Sequence, residues 1–242
     1  MKTAASEAKF ASTLWNVVLA AGHKSTPDAR DSLEKLCHTY WYPIYAFLRR
    51  QGQNPHDAQD LTQGFFAWLL STDQLGRADP QRGRFRSFLL CRLKGFLVDE
   101  HRKAHAEKRG GHQPPISLDA EVAEERYRLE PLSNLTADKI FERRWAMLVL
   151  ETAFSRLRQE YIDSGRAKLF EELKDFQSGE KSEGSYAQSA ARLGLTESAV
   201  KSAIWRLRRR QSELLREEIS QTVSGPVELD EEIRHLIAIV GE

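Results

Sequence analysis

Asp99-Glu100-His101, followed by His105, is the densest grouping of side chains able to ligate a metal or move a proton. On a helix, His101 and His105 stand at i and i+4, a spacing that can hold one cation, and His56-Asp57 could add to it. A hydrolytic zinc site needs a third ligand and outer groups that orient the imidazoles. Asp99 sits opposite much of that face, while Arg102 and Lys103 crowd it with positive charge. The grouping therefore reads as a solvated basic helix, and no catalysis, metal or cofactor is expected of it. Cys37 and Cys91 are too few for a disulfide framework or a thiolate zinc site and read as small core residues.

The chemistry that the sequence does favour is polyanion binding. Lys plus Arg total 36 against 35 for Asp plus Glu, so the overall charge says nothing about partners. The distribution says more. From Arg82 to Arg109 there are nine cations (Arg82, Arg84, Arg86, Arg92, Lys94, Arg102, Lys103, Lys108 and Arg109) against Asp99, Glu100 and Glu107. From Lys201 to Arg216 there are Lys201, Arg206, Arg208, Arg209, Arg210 and Arg216 against Glu213 alone. Two basic patches far apart in the chain suit a polyanion gripped at two points. A solvated helix face is the plainer explanation of either patch alone.

These residues sit on helices. Asn54-Pro55-His56-Asp57 and Thr26-Pro27-Asp28 each place a capping side chain before a proline suited to the first turn. Ser185 and Gln188 fit a capping box. Apolar residues recur every three or four positions in Leu33, Leu36, Tyr40, Ile44, Phe47 and again in Ile140, Trp145, Leu148, Phe154, Leu157. Strand alternation is almost absent, and at 40% hydrophobic and 29% charged the 242 residues can build one large domain or two small ones. The expectation is an all-α fold of two helical domains. They are joined by a flexible linker over residues 108–135, where Gly110-Gly111 and Pro114-Pro115 punctuate the chain and Ala120 to Leu129 could form a short helix. With no apolar N-terminal stretch and no apolar run near the roughly 20 residues of a membrane span, a cytoplasmic protein with no membrane partner is expected.

Three segments carry the functional detail. In Ser185 to Arg210 a short helix meets Gly194-Leu195-Thr196, and a second helix follows with Thr196 as N-cap. Val200, Ala203, Ile204 and Leu207 would form its buried stripe. Ser198, Lys201, Ser202, Trp205 and Arg209 would face outward, with Arg206 at the flank. That is the face a major-groove reading helix needs. In Asn54 to Leu70, Ala58, Leu61, Phe65 and Leu69 would point inward, Asp60 and Gln63 outward, and Phe66 is expected at the boundary, partly exposed, as on a docking surface. In Arg84 to Arg102, cations alternate with aromatics, as single-stranded nucleic acid requires, although most of Phe85, Phe88 and Phe96 are expected in the core.

The three segments, in order and spacing, resemble the extracytoplasmic-function (ECF) bacterial sigma factors. The resemblance rests on Asp57-Ala58-Gln59-Asp60-Leu61-Thr62-Gln63-Gly64-Phe65-Phe66, on Phe88-Leu89 through Asp99-Glu100-His101-Arg102, and on Ser185-Tyr186 through Val200-Lys201-Ser202. Tyr40-Trp41-Tyr42-Pro43 and Gly83-Arg84-Phe85-Arg86-Ser87-Phe88-Leu89 look closest to a long-linker subgroup common in planctomycete-type bacteria. The likeness covers Leu33 to Ala104 and Ala137 to Glu218. It implies a region two domain (1–107), the linker, a region four domain with a helix-turn-helix (136–220) and a helical C-terminal extension (221–242).

It also implies a monomeric promoter-specificity subunit, without enzymatic activity, whose partners are bacterial core RNA polymerase and promoter DNA, double- and single-stranded. Asp57, Asp60, Gln63 and Phe66 would bind polymerase. Arg84, Arg86, Phe88, Arg92, Lys94 and Arg102 would bind the −10 element. Thr196, Ser198, Lys201, Ser202, Trp205, Arg206 and Arg209 would bind the −35 element. An anti-sigma factor or a Ser/Thr kinase acting at Thr62 are candidate controllers.

This chain departs from the family pattern at Gly95, where Asn is usual, at Phe88-Leu89, where Trp-Leu is usual, and at Ala203 and Trp205, where Arg and His are common. Lys168 to Phe176 reads as an insertion. The tail after Gln221, with Ile233, Leu236, Ile237 and Val240 behind Glu228, Asp230, Glu231 and Glu232, is expected to pack on one of the two domains and to limit DNA access. The rival reading is a stand-alone helix-turn-helix regulator, which leaves the two N-terminal segments without a task.

Overall fold

The structure is a computed structural model that describes residues 27–72, 74–79, 83–106, 120–128, 135–178, 184–220, 223 and 226–241. Its α-helices are α1 (Pro27–Arg50), α2 (Pro55–Ser71), α3 (Phe85–Ala106), α4 (Ala120–Arg128), α5 (Ala137–Asp163), α6 (Ala167–Leu173), α7 (Gly184–Leu193), α8 (Glu197–Ser220) and α9 (Pro226–Gly241). Short 3-10 turns follow α2 (Leu75–Arg77) and α6 (Lys174–Ser178). Every regular element among the described residues is helical, so the all-α expectation holds. The chain forms two compact units, residues 1–147 with 220–242, and residues 148–219. The division falls inside α5, and α9 belongs with the first unit although it follows the second in sequence.

The first unit is built around α1. From Tyr40 to Leu48 every side chain but that of Tyr42 is buried, the mark of a helix covered on all sides. The Tyr40 ring lies edge-on to Phe85 at 5.6 Å and stacks on Phe141 at 6.4 Å, which ties α3 and α5 to α1. The second link is aromatic as well. Phe65 and Trp68 of α2 meet Phe96 of α3 at 5.6 and 5.7 Å between ring centroids. Asn54 caps α2 as expected, its Oδ1 accepting the Asp57 N–H at 2.9 Å, with Pro55 in the first turn. The other two expected caps, at Thr26 and in the Ser185 side chain, lie outside the described residues.

The short helix expected near Ala120 forms as α4, and it is anchored. Glu124 accepts from Arg49 Nε and Nη2, both at 2.9 Å, and from the Tyr45 hydroxyl at 2.6 Å. The Arg49 hydrogen bonds hold the Glu124 carboxyl below its ordinary range, while burial and then Glu124 push the Tyr45 phenol up. Burying Ala123 beside this fork fixes one face of α4.

In the second unit, Ala153, Leu157 and Tyr161 of α5 pack with Phe170, Leu173 and Phe176, with Ala190 of α7, and with the buried stripe of α8. Lys168 to Phe176, read from sequence as an insertion, contributes to the core: Phe170, Leu173 and Phe176 are among the most buried side chains in the unit, and Leu169 packs against them. Gly194 ends α7 at φ +65°, a left-handed conformation that favours glycine. Leu195 N–H donates to the Ala190 carbonyl at 2.9 Å and Gly194 N–H to Ala191 at 3.4 Å, a Schellman closure. Thr196 Oγ1 then accepts the Ala199 N–H at 3.2 Å and starts α8.

Two expectations are corrected. Phe66 is 5% exposed, packed on Phe65 at 5.7 Å, because α2 presents two adjacent apolar positions to the core and not a single stripe. Thr62 is buried and donates to the Ala58 carbonyl at 2.7 Å, which places its hydroxyl out of a kinase's reach.

Burial of Phe66 predicts that Phe66→Ala costs about 3–5 kcal/mol of folding stability, read from denaturant unfolding. A loss below about 1 kcal/mol would restore the partly exposed position. A pH effect is expected at His235, whose Nε2 lies 3.1 Å from Glu142 Oε2. Burial, then the charge of Arg86, lowers its pKa from 6.5, against the pull of Glu142 and with a smaller push from Arg84. The unfolded chain takes up that proton first, so stability falls as pH drops below 6.5, until the folded pKa is passed. Melting temperatures at about pH 7.5 and about pH 5.5 should differ less in His235→Gln than in the parent. An equal drop in both would exclude His235 as a source.

Candidate nucleic-acid interface

Three surfaces carry the residues singled out from sequence. On α2, Asp57 is exposed and Asp60 half-exposed, on one side of the helix. Asn54 Nδ2 donates to Asp57 at 2.7 Å, and His56 Nδ1 lies 3.2 Å from Asp60. Both partners are exposed and loosely held, so neither pair is worth more than about 1 kcal/mol and each can be exchanged for another partner. Gln63 is half-buried, and its Nε2 is enclosed without an acceptor. Phe66 lies beneath this surface, not on it.

On α3 the six basic or aromatic candidates separate into two groups. Arg102 is 77% exposed and Lys94 half-exposed. Lys94 Nζ donates to Asp138 of α5 at 2.6 Å, again an exposed pair. Arg92 lies over the Phe88 ring at 5.1 Å, and Phe88 in turn stacks on Phe85 at 5.9 Å. These four form one accessible or half-accessible run. Arg84 and Arg86 stand apart at the start of the helix and are already engaged.

The Arg86 side chain is 3% exposed and lies over the Trp145 indole, 4.3 Å from its centroid. Glu232 of α9, 0% exposed, forms ion pairs with Arg86 and with Arg84 Nε, the latter at 2.8 Å. Burial, and then the charge of Arg84, lower the Arg86 guanidinium to about 10, while Glu142 and Tyr40 act in the opposite direction. Each Glu232 oxygen thus faces one guanidinium, Oε1 that of Arg86 and Oε2 that of Arg84. Sequence reasoning missed Glu232, Trp145 and Glu142 as the surroundings of Arg86. One signal was available. Glu232 stands at i−4 to the buried Leu236, so a carboxylate interrupts the apolar face of α9.

The surface on α8 is as the wheel expects. Val200, Ala203, Ile204 and Leu207 are buried; Thr196, Ser198, Lys201, Ser202, Trp205, Arg206 and Arg209 are exposed. Trp205 is 60% exposed, with Arg209 over its ring at 5.5 Å, and Lys201 Nζ lies 5.4 Å from the Tyr186 ring of α7. Two arginines of the same basic run turn away. Arg208 donates to the Phe176 carbonyl, and Arg210 forks onto Glu160 at 2.7 and 2.9 Å. The outward face thus keeps Lys201 and Arg206 for an external polyanion, while Arg209 Nε donates to Glu213 at 3.0 Å in an exposed pair that can be exchanged.

Among the described residues no three His, Cys, Asp or Glu side chains gather to hold a metal ion, and no helix is long and apolar enough to cross a membrane. No curated protein and no solved structure matches the chain significantly. Residues 38–107, which include every α2 and α3 candidate above and none of those on α8, match the family described as sigma-70 region 2. The match spans less than a third of the chain, the part that holds α2 and α3.

Proposed function

We propose that this chain is an ECF-type alternative sigma factor, which binds core RNA polymerase in the cytoplasm and directs initiation at promoters carrying −10 and −35 elements. The sigma-70 region 2 match over residues 38–107 carries the reading. The physical features of the three surfaces support the finer assignments. Asp57 and Asp60, with Gln63 beside them, form an acidic and amide surface suited to basic helices of the polymerase. Lys94, Arg102 and the Phe88–Arg92 pair suit the melted −10 strand, where bases stack and phosphates need cations. Gly194 and Thr196 set α7 and α8 as a helix-turn-helix, and the exposed side of α8 suits a −35 major groove: short hydroxyls and Lys201 near its N-terminus, then Trp205, Arg206 and Arg209. No covalent step is required of any of these residues. The long-linker subgroup, a monomeric free state and control by an anti-sigma factor belong to the same proposal.

Docking is tested by gel filtration with bacterial core polymerase. Phe66 is unsuitable as a probe because its loss disturbs the core. Asp57→Ala/Asp60→Lys alters only exposed or half-exposed carboxylates, so the folded variant should no longer co-elute while the parent does. Failure of the parent to co-elute, together with tight duplex binding by the protein alone, would leave a stand-alone regulator. For α8, Lys201→Ala, Trp205→Ala and Arg206→Ala should each change stability by less than about 0.5 kcal/mol, as exposed positions do. In a complex with polymerase they should weaken promoter-duplex binding, with Lys201→Ala and Arg206→Ala also lowering its salt slope by about one each if the contact is to phosphate. Unchanged promoter binding in all three would remove α8 from the interface.

A further inference from the structure

Two arginines meet at the start of α3, Arg84 and Arg86, and the Arg86 guanidinium covers the buried Trp145 indole. Two guanidinium groups converging on one place are what a phosphate asks of a protein. Glu232 now fills that place, with 0% of its side chain exposed. A carboxylate is the protein's nearest equivalent of a phosphate oxygen pair, and it arrives on a helix that opens with Glu228, Asp230 and Glu231. While Glu232 is seated, Arg86 can reach no solute, since 3% exposure leaves no path to its guanidinium.

Two further observations bear on whether the seat can be vacated. Glu232 and Arg86 form a charged pair that is almost wholly buried, 0% and 3% exposed. Taking two charges out of water carries a desolvation cost that their attraction has to offset, so a buried ion pair is by itself weak evidence for a permanent contact. Second, α9 is thinly rooted: Glu232 and Leu236 are its buried side chains among the described residues, while Val227 and Ile237 are 76% and 63% exposed. His235, facing Glu142 with Arg84 and Arg86 near, adds a half-buried contact.

We infer that α9 is a built-in competitor of DNA: Glu232 occupies a phosphate subsite formed by Arg84 and Arg86, so that docking of α9 and capture of a DNA strand at this subsite exclude one another. The inference rests on the reading of α3 as a single-strand surface and adds a subsite to it, together with the segment that closes it. The apparent affinity for the strand is then the intrinsic one reduced by the fraction of molecules in which α9 has left.

The test uses the full chain, a fluorescein-labelled single-stranded 15-mer of randomised sequence, and one fixed salt concentration, with and without bacterial core polymerase. Hydrogen exchange of the α9 amides is followed in the unaltered protein as the oligonucleotide is added. Protection across Pro226–Gly241 should fall on binding. In parallel, Glu232→Lys and a chain ending at Ser220 should each bind the oligonucleotide at least about tenfold tighter than the parent. Glu231→Lys, the same charge change at an exposed neighbour, controls for added positive charge and should gain much less. If the parent binds while α9 stays protected, and neither variant gains over Glu231→Lys, then α9 is a structural helix and the competitor is excluded, with the α3 surface intact. If no form binds, even with core polymerase, the single-strand reading of α3 falls and the subsite with it. The exchange experiment decides the matter even where the variants fail to fold.

Discussion

A guanidinium with almost no access to water has to be answered by charge and polarisable surface from its own protein. Arg86 sets that demand at the first turn of α3, and much of the first unit meets it. Helix α5 supplies the Trp145 face and Glu142, α1 supplies Tyr40 nearby, and α9 crosses back to supply Glu232. The same constraint explains why the last helix belongs with the first unit. Its apolar side alone, with Leu236 the buried hydrophobe, is a slender reason to dock. The buried cation adds a specific one.

The second unit solves a different problem, how to hold a run of cations on one helix without losing its packing. Helix α8 divides its charges by direction. Arg208 and Arg210 are spent inside the unit, on the Phe176 carbonyl and on Glu160, and thereby fix α8 to the 3-10 turn after α6 and to α5. Lys201, Arg206 and Arg209 stay outside with Trp205. One sequence feature, a basic stretch, therefore serves both as internal bracing and as an exposed cationic surface, and only the three-dimensional position separates the two uses.

What could be read from the sequence, and what could not, follows the range of the interactions involved. The α8 surface was legible because a helix with apolar residues at 200, 203, 204 and 207 has only one way to face a core. The Asn54 and Thr196 caps were legible because capping acts within three residues. Phe66 was misjudged because α2 buries Phe65 and Phe66 together, and a wheel with apolar groups on adjacent positions does not define its own boundary. Lys168 to Phe176 was set aside as an insertion, although Phe170, Leu173 and Phe176 complete the core of the second unit. The partner of Arg86 lay beyond any local rule: nothing near residue 86 names residue 232. What the sequence did offer there was a carboxylate on the wrong side of an amphipathic helix, a small sign of a distant countercharge.

The return of α9 to the first unit also has a consequence for the order of synthesis. Residues 148–219 complete a separate compact unit before residues 226–241 have been made. Until then the first unit has its α1 spine and its aromatic links, but the cation at the head of α3 has no carboxylate to meet. Without α9 the first unit is more basic, since Glu228, Asp230, Glu231 and Glu232 are missing and Arg86 lacks its carboxylate. The ribosome, itself largely polyanionic, is the environment in which that stage occurs. Docking of α9 has to await the synthesis of residues 226–241, and it supplies the carboxylate that Arg86 lacks until then.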